Sequence, residues 1–185
     1  MELSGNQMRL SLARPSVIYR RSYVRSLRGF IRRKQTPREL LAIDVRPQDA
    51  IDDIPRLVHR LRGFARGLDL KPGYVPESIF WLVEGQHYLG EITIRHSLNQ
   101  ALRREFGHIG YEVTHSERRK GYGTRMLAMA LKKTRTIGLQ KVLVTCDTGN
   151  IGSRKIIEAN GGKLAGKVKS IEGGYKYRFW IRIPS

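Results

Sequence analysis

The sequence predicts an α/β (α+β) fold: a mixed, mostly antiparallel sheet with a central parallel strand pair and flanking helices. Three observations predict it. Two strand–turn–strand patterns read as antiparallel hairpins: 78–83 with 88–96 about Glu84-Gly85-Gln86, and 163–171 with 175–183 about Glu172-Gly173-Gly174. Between them, a strand at 109–113, a helix at 124–137 and a strand at 141–146 make a crossover, which calls for a parallel, right-handed pair. Ahead of the first hairpin lie two stretches with apolar residues at helical spacing.

Taken in order, 8–13 alternates apolar and polar residues and reads as a first strand. Pro15 suits a helix start. Val17, Val24, Leu27 and Ile31 then fall on one face, with Arg21, Arg25, Arg28 and Arg32 as a second stripe. Residues 9–38 hold ten Lys or Arg and no acid. Pro37 and Pro47 bracket a break. A second helix begins near Asp53-Ile54-Pro55, with Ile54, Val58, Leu61, Ala65 and Leu68 at core spacing, and Gly67 and Lys71-Pro72-Gly73 end it. In 88–96, Leu89, Glu91, Thr93 and Arg95 alternate with Tyr88, Gly90, Ile92, Ile94 and His96. A polar loop or short helix at 98–106 leads to the strand at 109–113. The helix at 124–137 turns Leu127, Ala130, Leu131 and Ile137 inward and closes at Gly138. A last helix, 151–160, stops at Asn160-Gly161-Gly162.

A chain of 185 residues with 40% hydrophobic content is long and apolar enough to bury a core as one domain, 1–185. No apolar run approaches the roughly 18–20 residues that cross a bilayer, and no signal peptide is evident. The single cysteine excludes an internal disulfide, and a cytoplasmic protein with no membrane partner is expected. A formal charge of +19 favours anionic partners without choosing among them. The five histidines lack ligand spacing, so no metal is expected. Cys146, Trp81 and Trp180 read as core or sheet residues.

The richest stretch is 108–124. A short strand runs into Arg118-Arg119-Lys120-Gly121-Tyr122-Gly123 and directly on into a helix. A glycine loop at a helix N-terminus exposes several N–H groups where the dipole also favours an anion, which points to a phosphate-bearing ligand. Downstream stands Asn150-x-x-Ser153, followed by Gly161-Gly162.

Together these residues resemble the GNAT superfamily of acyl-CoA N-acyltransferases. Arg118-x-x-Gly121-x-Gly123 matches its cofactor loop, Val113 stands five residues before Arg118, and Asn150-x-x-Ser153 is similar to its second cofactor motif. The likeness covers 76–183 well and 8–70 in outline. It implies a GNAT-like sheet core with the CoA site at 76–183, and an N-terminal strand and helices, 1–75, bordering the acceptor cleft. The implied acyl donor is acetyl-CoA. N–H groups from Arg119 through Lys120, Gly121, Tyr122, Gly123 and Thr124 would hold its pyrophosphate, with Arg118, Arg119 and Lys120 adding charge. Tyr111 and Val113 would line the pantetheine arm, the Val113 N–H serving as oxyanion donor. Asn150 would bond the pantetheine, or cap its helix, and Ser153 would stand at that helix's mouth.

The implied reaction is direct transfer of an acetyl group to a primary amine in a ternary complex. A lysine-like amine is neutral in only about one molecule in 2,500 at pH 7, so a base matters, typically by about 10² to 10⁴. The usual base positions are Gly107 and Ile109, and the usual tyrosine acid is Ile157. The remaining catalytic candidates are Glu91, His96, His108 and Glu112, each of which also has a purely structural reading. The acceptor is unassigned; the arginine stripe suggests an anionic one, because the first helix walls the acceptor cleft in such folds. A homodimer is compatible with the sequence. Two rival readings stand beside the enzyme: a CoA-binding sensor or docking module of the same fold, and a basic nucleic-acid-associated protein. The latter lacks a helix-turn-helix, zinc or base-stacking signature, so nucleic acid is not expected as the main partner.

Overall fold

The computed structural model describes residues 9–183. One sheet holds β1 Leu10–Ala13, β2 Glu77–Glu84, β3 His87–Arg95, β4 Ile109–Val113, β5 Lys141–Asp147, β6 Lys163–Lys169 and β7 Tyr175–Arg182, in the order β1-β2-β3-β4-β5-β7-β6. All neighbours are antiparallel except β4 and β5. The helices are α1 Arg20–Arg32, α2 Arg38–Ile43, α3 Pro47–Asp52, α4 Ile54–Gly63, α5 Tyr122–Thr134 and α6 Ile151–Ala159. The fold is thus the mixed α/β sheet that the hairpins and the crossover predict. No helix among the described residues is long and apolar enough to cross a membrane.

Helices cover both faces of the sheet. On the α5–α6 face, Leu82, Ile92, Ile94, Ile109, Met126, Leu127, Ile157 and Phe179 form an apolar core. On the α1–α4 face, Tyr23, Leu27, Leu40, Ile54, Leu61 and Trp81 form a second one. Trp81 is fully buried and stacks on Tyr23 at 4.3 Å between ring centroids. Burying such a pair contributes several kcal/mol, at about 2–3 per side chain, and fastens α1 to the sheet.

Several expectations shift in phase. Ser16 caps a 3₁₀ turn, Val17–Tyr19, before α1 begins. Periodicity drawn through Val17 therefore misses the helix: Val17 and Ile31 are exposed, and Tyr23, Leu27 and Phe30 are buried. Likewise α4, capped by Asp53, gives way to a 3₁₀ turn after Gly63, so Leu68 is exposed while Leu57 and Phe64 join the core. The break between the prolines contains α2 and α3, with Pro37 as the cap of α2 and Pro47 opening α3. The polar loop at 98–106 ends in one π turn, Leu102–Phe106. β3 is buried from Tyr88 to Ile94 rather than on alternate residues, because helices cover both its sides. β6 is the exposed edge, and its lysines guard it against pairing. The first strand starts at Leu10; Met8 lies outside the described residues.

Candidate active site

β4 and β5 pair in register only at Ile109 and Val144. Beyond that point they part. The His108 carbonyl and the Thr114 N–H turn to β3, since His108 O accepts from Arg95 N–H at 2.8 Å and Thr114 N–H donates to Leu89 O at 2.9 Å, while the His108 N–H bonds to β5, at Leu143 O, at 2.7 Å. Backbone groups alternate along a strand, so Tyr111 and Val113 turn theirs toward β5. A cavity of about 240 Å³ opens there, lined by Tyr111, Thr145, Cys146, Asn150, Ser153 and Glu172 among others. Unpaired strand backbone facing a cleft is what an extended arm with amide groups can add to as a further strand.

At one end of this seam lies the glycine loop. Gly121 is in the left-handed region at φ 77°, as is Arg119 at φ 63°. No side chain caps α5, so the first N–H groups of the helix, at Tyr122, Gly123 and Thr124, are unused by the helix itself. That fits an anionic group such as a pyrophosphate. The basic side chains are arranged differently from a simple cationic ring. Arg118 folds back to donate to Val113 O at 3.2 Å and meets Glu112 at 3.4 Å. Lys120 pairs with Glu117 at 3.0 Å. Gly123 serves packing: a Cβ there would collide with Ile156 of α6.

Asn150 caps α6 by accepting from Ser153 N–H at 2.9 Å, which leaves its amide N–H₂ free for another acceptor. Ser153 Oγ shares a hydrogen bond of 2.9 Å with the Tyr111 hydroxyl. Burial pushes the Tyr111 phenol up to about 12, so it stays protonated. Burial also raises the Cys146 thiol.

The sequence-derived catalytic candidates separate in space. His96 bonds Ser78 Oγ at 2.9 Å and lines a different cavity, near Leu12 and Arg14. His108 Nδ1 accepts from Leu143 N–H at 2.9 Å, stitching β4 to β5. Burial, aided by Arg103 and Arg95, holds His108 down to about 4, so it is neutral with its proton on Nε2. Glu91 and Glu112 are cross-strand partners. Burial raises Glu112, while Arg118 and the Arg38 N–H hold it back. Glu91 is 1% exposed; burial first and the Glu39 charge second push it well above the usual carboxylate range.

The residues missing from the usual positions have physical occupants. Gly107 sits at φ 65°, and a Cβ there would collide with Leu143 O. Ile109 and Ile157 are both buried in the core.

Four residues escape sequence reasoning. Glu39, on α2, is 1% exposed and accepts from Tyr23 OH at 2.9 Å and Tyr88 OH at 3.5 Å. Burial nonetheless pushes its carboxyl up from its ordinary 4.5 to about 7. Arg38 lies over Gly110, where a Cβ would meet its Nη2 at 2.6 Å. It lines both the seam and a neighbouring cavity of about 400 Å³, near Tyr74, Glu77 and Arg95. Glu172 lines the same two cavities and has a side chain 72% exposed, 3.8 Å from Lys176 Nζ. Glu105, fully buried, accepts from Ser170 Oγ at 3.0 Å and Ile171 N–H at 2.9 Å, and so holds the turn that carries Glu172. An acidic residue beside Gly173-Gly174 was a visible signal for Glu172; nothing local marks the other three. Among the described residues, no group of three or more His, Cys, Asp or Glu side chains is placed to hold a metal.

The model of the acetyltransferase (GNAT) domain matches residues 48–163, and the chain belongs to that family. Its fold is shared with solved acetyltransferases. Mycobacterium smegmatis RimJ in complex with CoA-disulfide is 22% identical over 94% of this chain and 81% of its own, with a TM-score of 0.69. The microcin C7 self-immunity acetyltransferase MccE, in complex with acetyl-CoA and AMP, is 13% identical over 97% of this chain and 94% of its own, at 0.67. RimL, a ribosomal L7/L12 α-N-protein acetyltransferase in complex with coenzyme A, is 13% identical over 97% and 96%, at 0.66. No curated protein matches the sequence.

Proposed function

We propose that this protein, as one acetyltransferase domain, moves an acetyl group from acetyl-CoA to a primary amine. The observation that carries the reading is the parted β4–β5 seam, with the Tyr111 and Val113 backbone turned into it and an uncapped α5 N-terminus at its end. Family membership supports acetyl-CoA as donor. RimL, described as an α-N-protein acetyltransferase, supports an amine as acceptor.

In this reading acetyl-CoA supplies an activated thioester. N–H groups of the α5 N-terminus bind the pyrophosphate, Asn150 bonds the pantetheine, and the Val113 N–H stabilises the oxyanion. The acceptor enters through the cavity beside Arg38. Its nitrogen attacks the carbonyl carbon, the N–C bond forms, and the C–S bond breaks. Glu172, the carboxylate common to both cavities, takes the amine proton. The Ser153–Tyr111 hydroxyl pair stands beside the departing sulfur to hydrogen-bond the thiolate, which takes its proton from solvent water. Among the earlier candidates, the positions of Glu91 and Glu112 beside Arg38 support a field-setting role, and those of His96 and His108 support structural ones.

The test combines a thermal shift with acetyl-CoA and a thiol-release screen over peptide N-termini, lysyl peptides and small amines. Stabilisation by acetyl-CoA and acceptor-dependent thiol release are expected. Stabilisation without turnover across the panel would instead favour a CoA-binding module, a reading that the apolar Ile157 also favours. No stabilisation at millimolar acetyl-CoA would overturn both.

A further inference from the structure

A second groove, of about 480 Å³, runs between α1 and the connection from β4 to α5. Arg25, Arg32 and Arg33 line one wall; His115 and Arg118 line the other. Arg21 and Arg28 extend the row along the exposed flank of α1. None of these five arginines, four on α1 and Arg33 just past its end, pairs with an acid among the described residues, and the one side-chain bond among them is Arg33 to Gly29 O at 2.9 Å. The two acids in the groove are otherwise occupied: Glu84 accepts from Tyr122 OH at 3.4 Å, and Glu117 meets Lys120 at 3.0 Å. The His115 imidazole, fully exposed to water, is held below its ordinary range first of all by Arg33. Four arginines thus line the groove against the two carboxylates Glu84 and Glu117, and its net charge is positive.

We propose that this groove docks a single strand of nucleic acid through its phosphate backbone, on a surface that meets the cofactor loop at Arg118 and Tyr122 and shares no lining residue with the seam cavity. The row Arg21, Arg25, Arg28, Arg32 advances by four, three and four residues, or about 4.5–6 Å per step at 1.5 Å per residue. Such a step is comparable with the spacing of successive phosphates along a stretched strand. Arginine also suits phosphate through its two-pronged donors. Concavity favours a strand over a lipid bilayer, which would press on a convex face. A row of charges at regular intervals favours it over a folded acidic protein, whose carboxylates are scattered. Tyr122 is half-buried at the groove wall, while Phe30 and Tyr88 are buried beneath its floor, so the docking rests on phosphate contacts rather than on stacking. The site needs no base-reading residues, in keeping with the absence of a sequence-reading motif.

The test is fluorescence anisotropy of a labelled mixed-sequence 20-mer RNA against the full chain, titrated in KCl with and without saturating acetyl-CoA. Four phosphate contacts predict a slope of log affinity against log salt near −3, at about 0.7 per contact for a single strand. Replacing Arg21, Arg25, Arg28 and Arg32 with Gln should cut affinity at least ten-fold at low salt and flatten the slope. The thermal shift with acetyl-CoA should be unchanged, which shows that the variant folds. A control with Lys163, Lys167 and Lys169 on the β6 edge changed to Gln should keep its affinity. No binding in 50 mM KCl would overturn the proposal. So would unchanged affinity in the arginine variant, equal loss in the lysine control, or phosphatidylserine vesicles or polyglutamate competing as well as RNA at equal charge. Failure here leaves the acetyl-transfer test untouched, because the two readouts are separate.

Discussion

The two faces of the sheet differ in what they bury. Under α5 and α6 the core is built of apolar side chains with the buried Thr134 beside them, and the polar groups gather at the seam and the α5 N-terminus. Under α1–α4 the core encloses Glu39 and Glu91 among Tyr23, Trp81 and Tyr88. One face therefore presents fixed dipoles, whose field does not depend on ionisation. The other stores carboxyls at a cost, since burial without full pairing disfavours their charge. Glu39 Oε2 and Glu91 Oε1 find no hydrogen-bond partner among the described residues. Under the proposed function this difference divides the labour: the apolar face would hold the donor, and the mixed face would tune the side from which the acceptor approaches.

The sharpest way to break this comparison is at the dipole end. Gly121→Asp places a negative charge in the anion cradle, in a backbone conformation that Asp tolerates at modest cost. Acetyl-CoA affinity by calorimetry should fall at least 100-fold while the fold survives; undiminished affinity would remove the pyrophosphate from this loop. Next in size, Glu172→Gln should lower kcat by about 10² with little change in KM for acetyl-CoA. An unchanged kcat would move the base elsewhere, with Glu112 the first alternative.

The third concerns the buried carboxyls and works through pH. Glu39 has a folded value of about 7 against an ordinary 4.5, so the folded state binds the proton more tightly than the unfolded state. The stability this confers is complete below pH 4.5 and is lost as pH rises toward 7. A shift of this size is worth on the order of 3 kcal/mol. Glu91, raised in the same direction, adds to the decline. Denaturant melts across this window should show wild-type stability falling with pH, and Glu39→Gln with Glu91→Gln should flatten the curve. A wild-type curve that rises over the window would contradict the account of this face. The smallest effect expected is that of Asn150→Ala, which removes the α6 cap and should cost about 1 kcal/mol of stability. It should also raise KM for acetyl-CoA; a stability loss with unchanged KM would leave Asn150 as a cap alone.

Much of the donor side was legible because its interactions are local in the chain. The bond from Ser153 N–H to Asn150 spans three residues, and the loop from Arg118 to Gly123 turns on the left-handed Arg119 and Gly121 within it. Side-chain destinations in that loop were less legible. Arg118 turns back onto Val113 and Glu112, a choice made by the strand end that faces it. On the mixed face almost nothing could be read. The break between the two prolines hid α2, and with it Arg38 and Glu39. His108, a base candidate by residue type, spends its lone pair on Leu143 N–H, a contact across 35 residues.

By itself, the sequence determined the hairpins, the crossover that makes β4 and β5 parallel, and the strand–loop–helix proposed to hold the cofactor's pyrophosphate. Those follow from periodicity, turn residues and helix ends, all of which act over a few neighbouring residues. Tertiary structure alone decided which carboxyls lose their solvent and which meet. It also decided that Glu105 ties down the turn holding Glu172, and that α1 and the β4–α5 connection enclose a basic groove. Desolvation and through-space charge depend on what packs around a group, and the residues that pack here come from segments far apart in the chain.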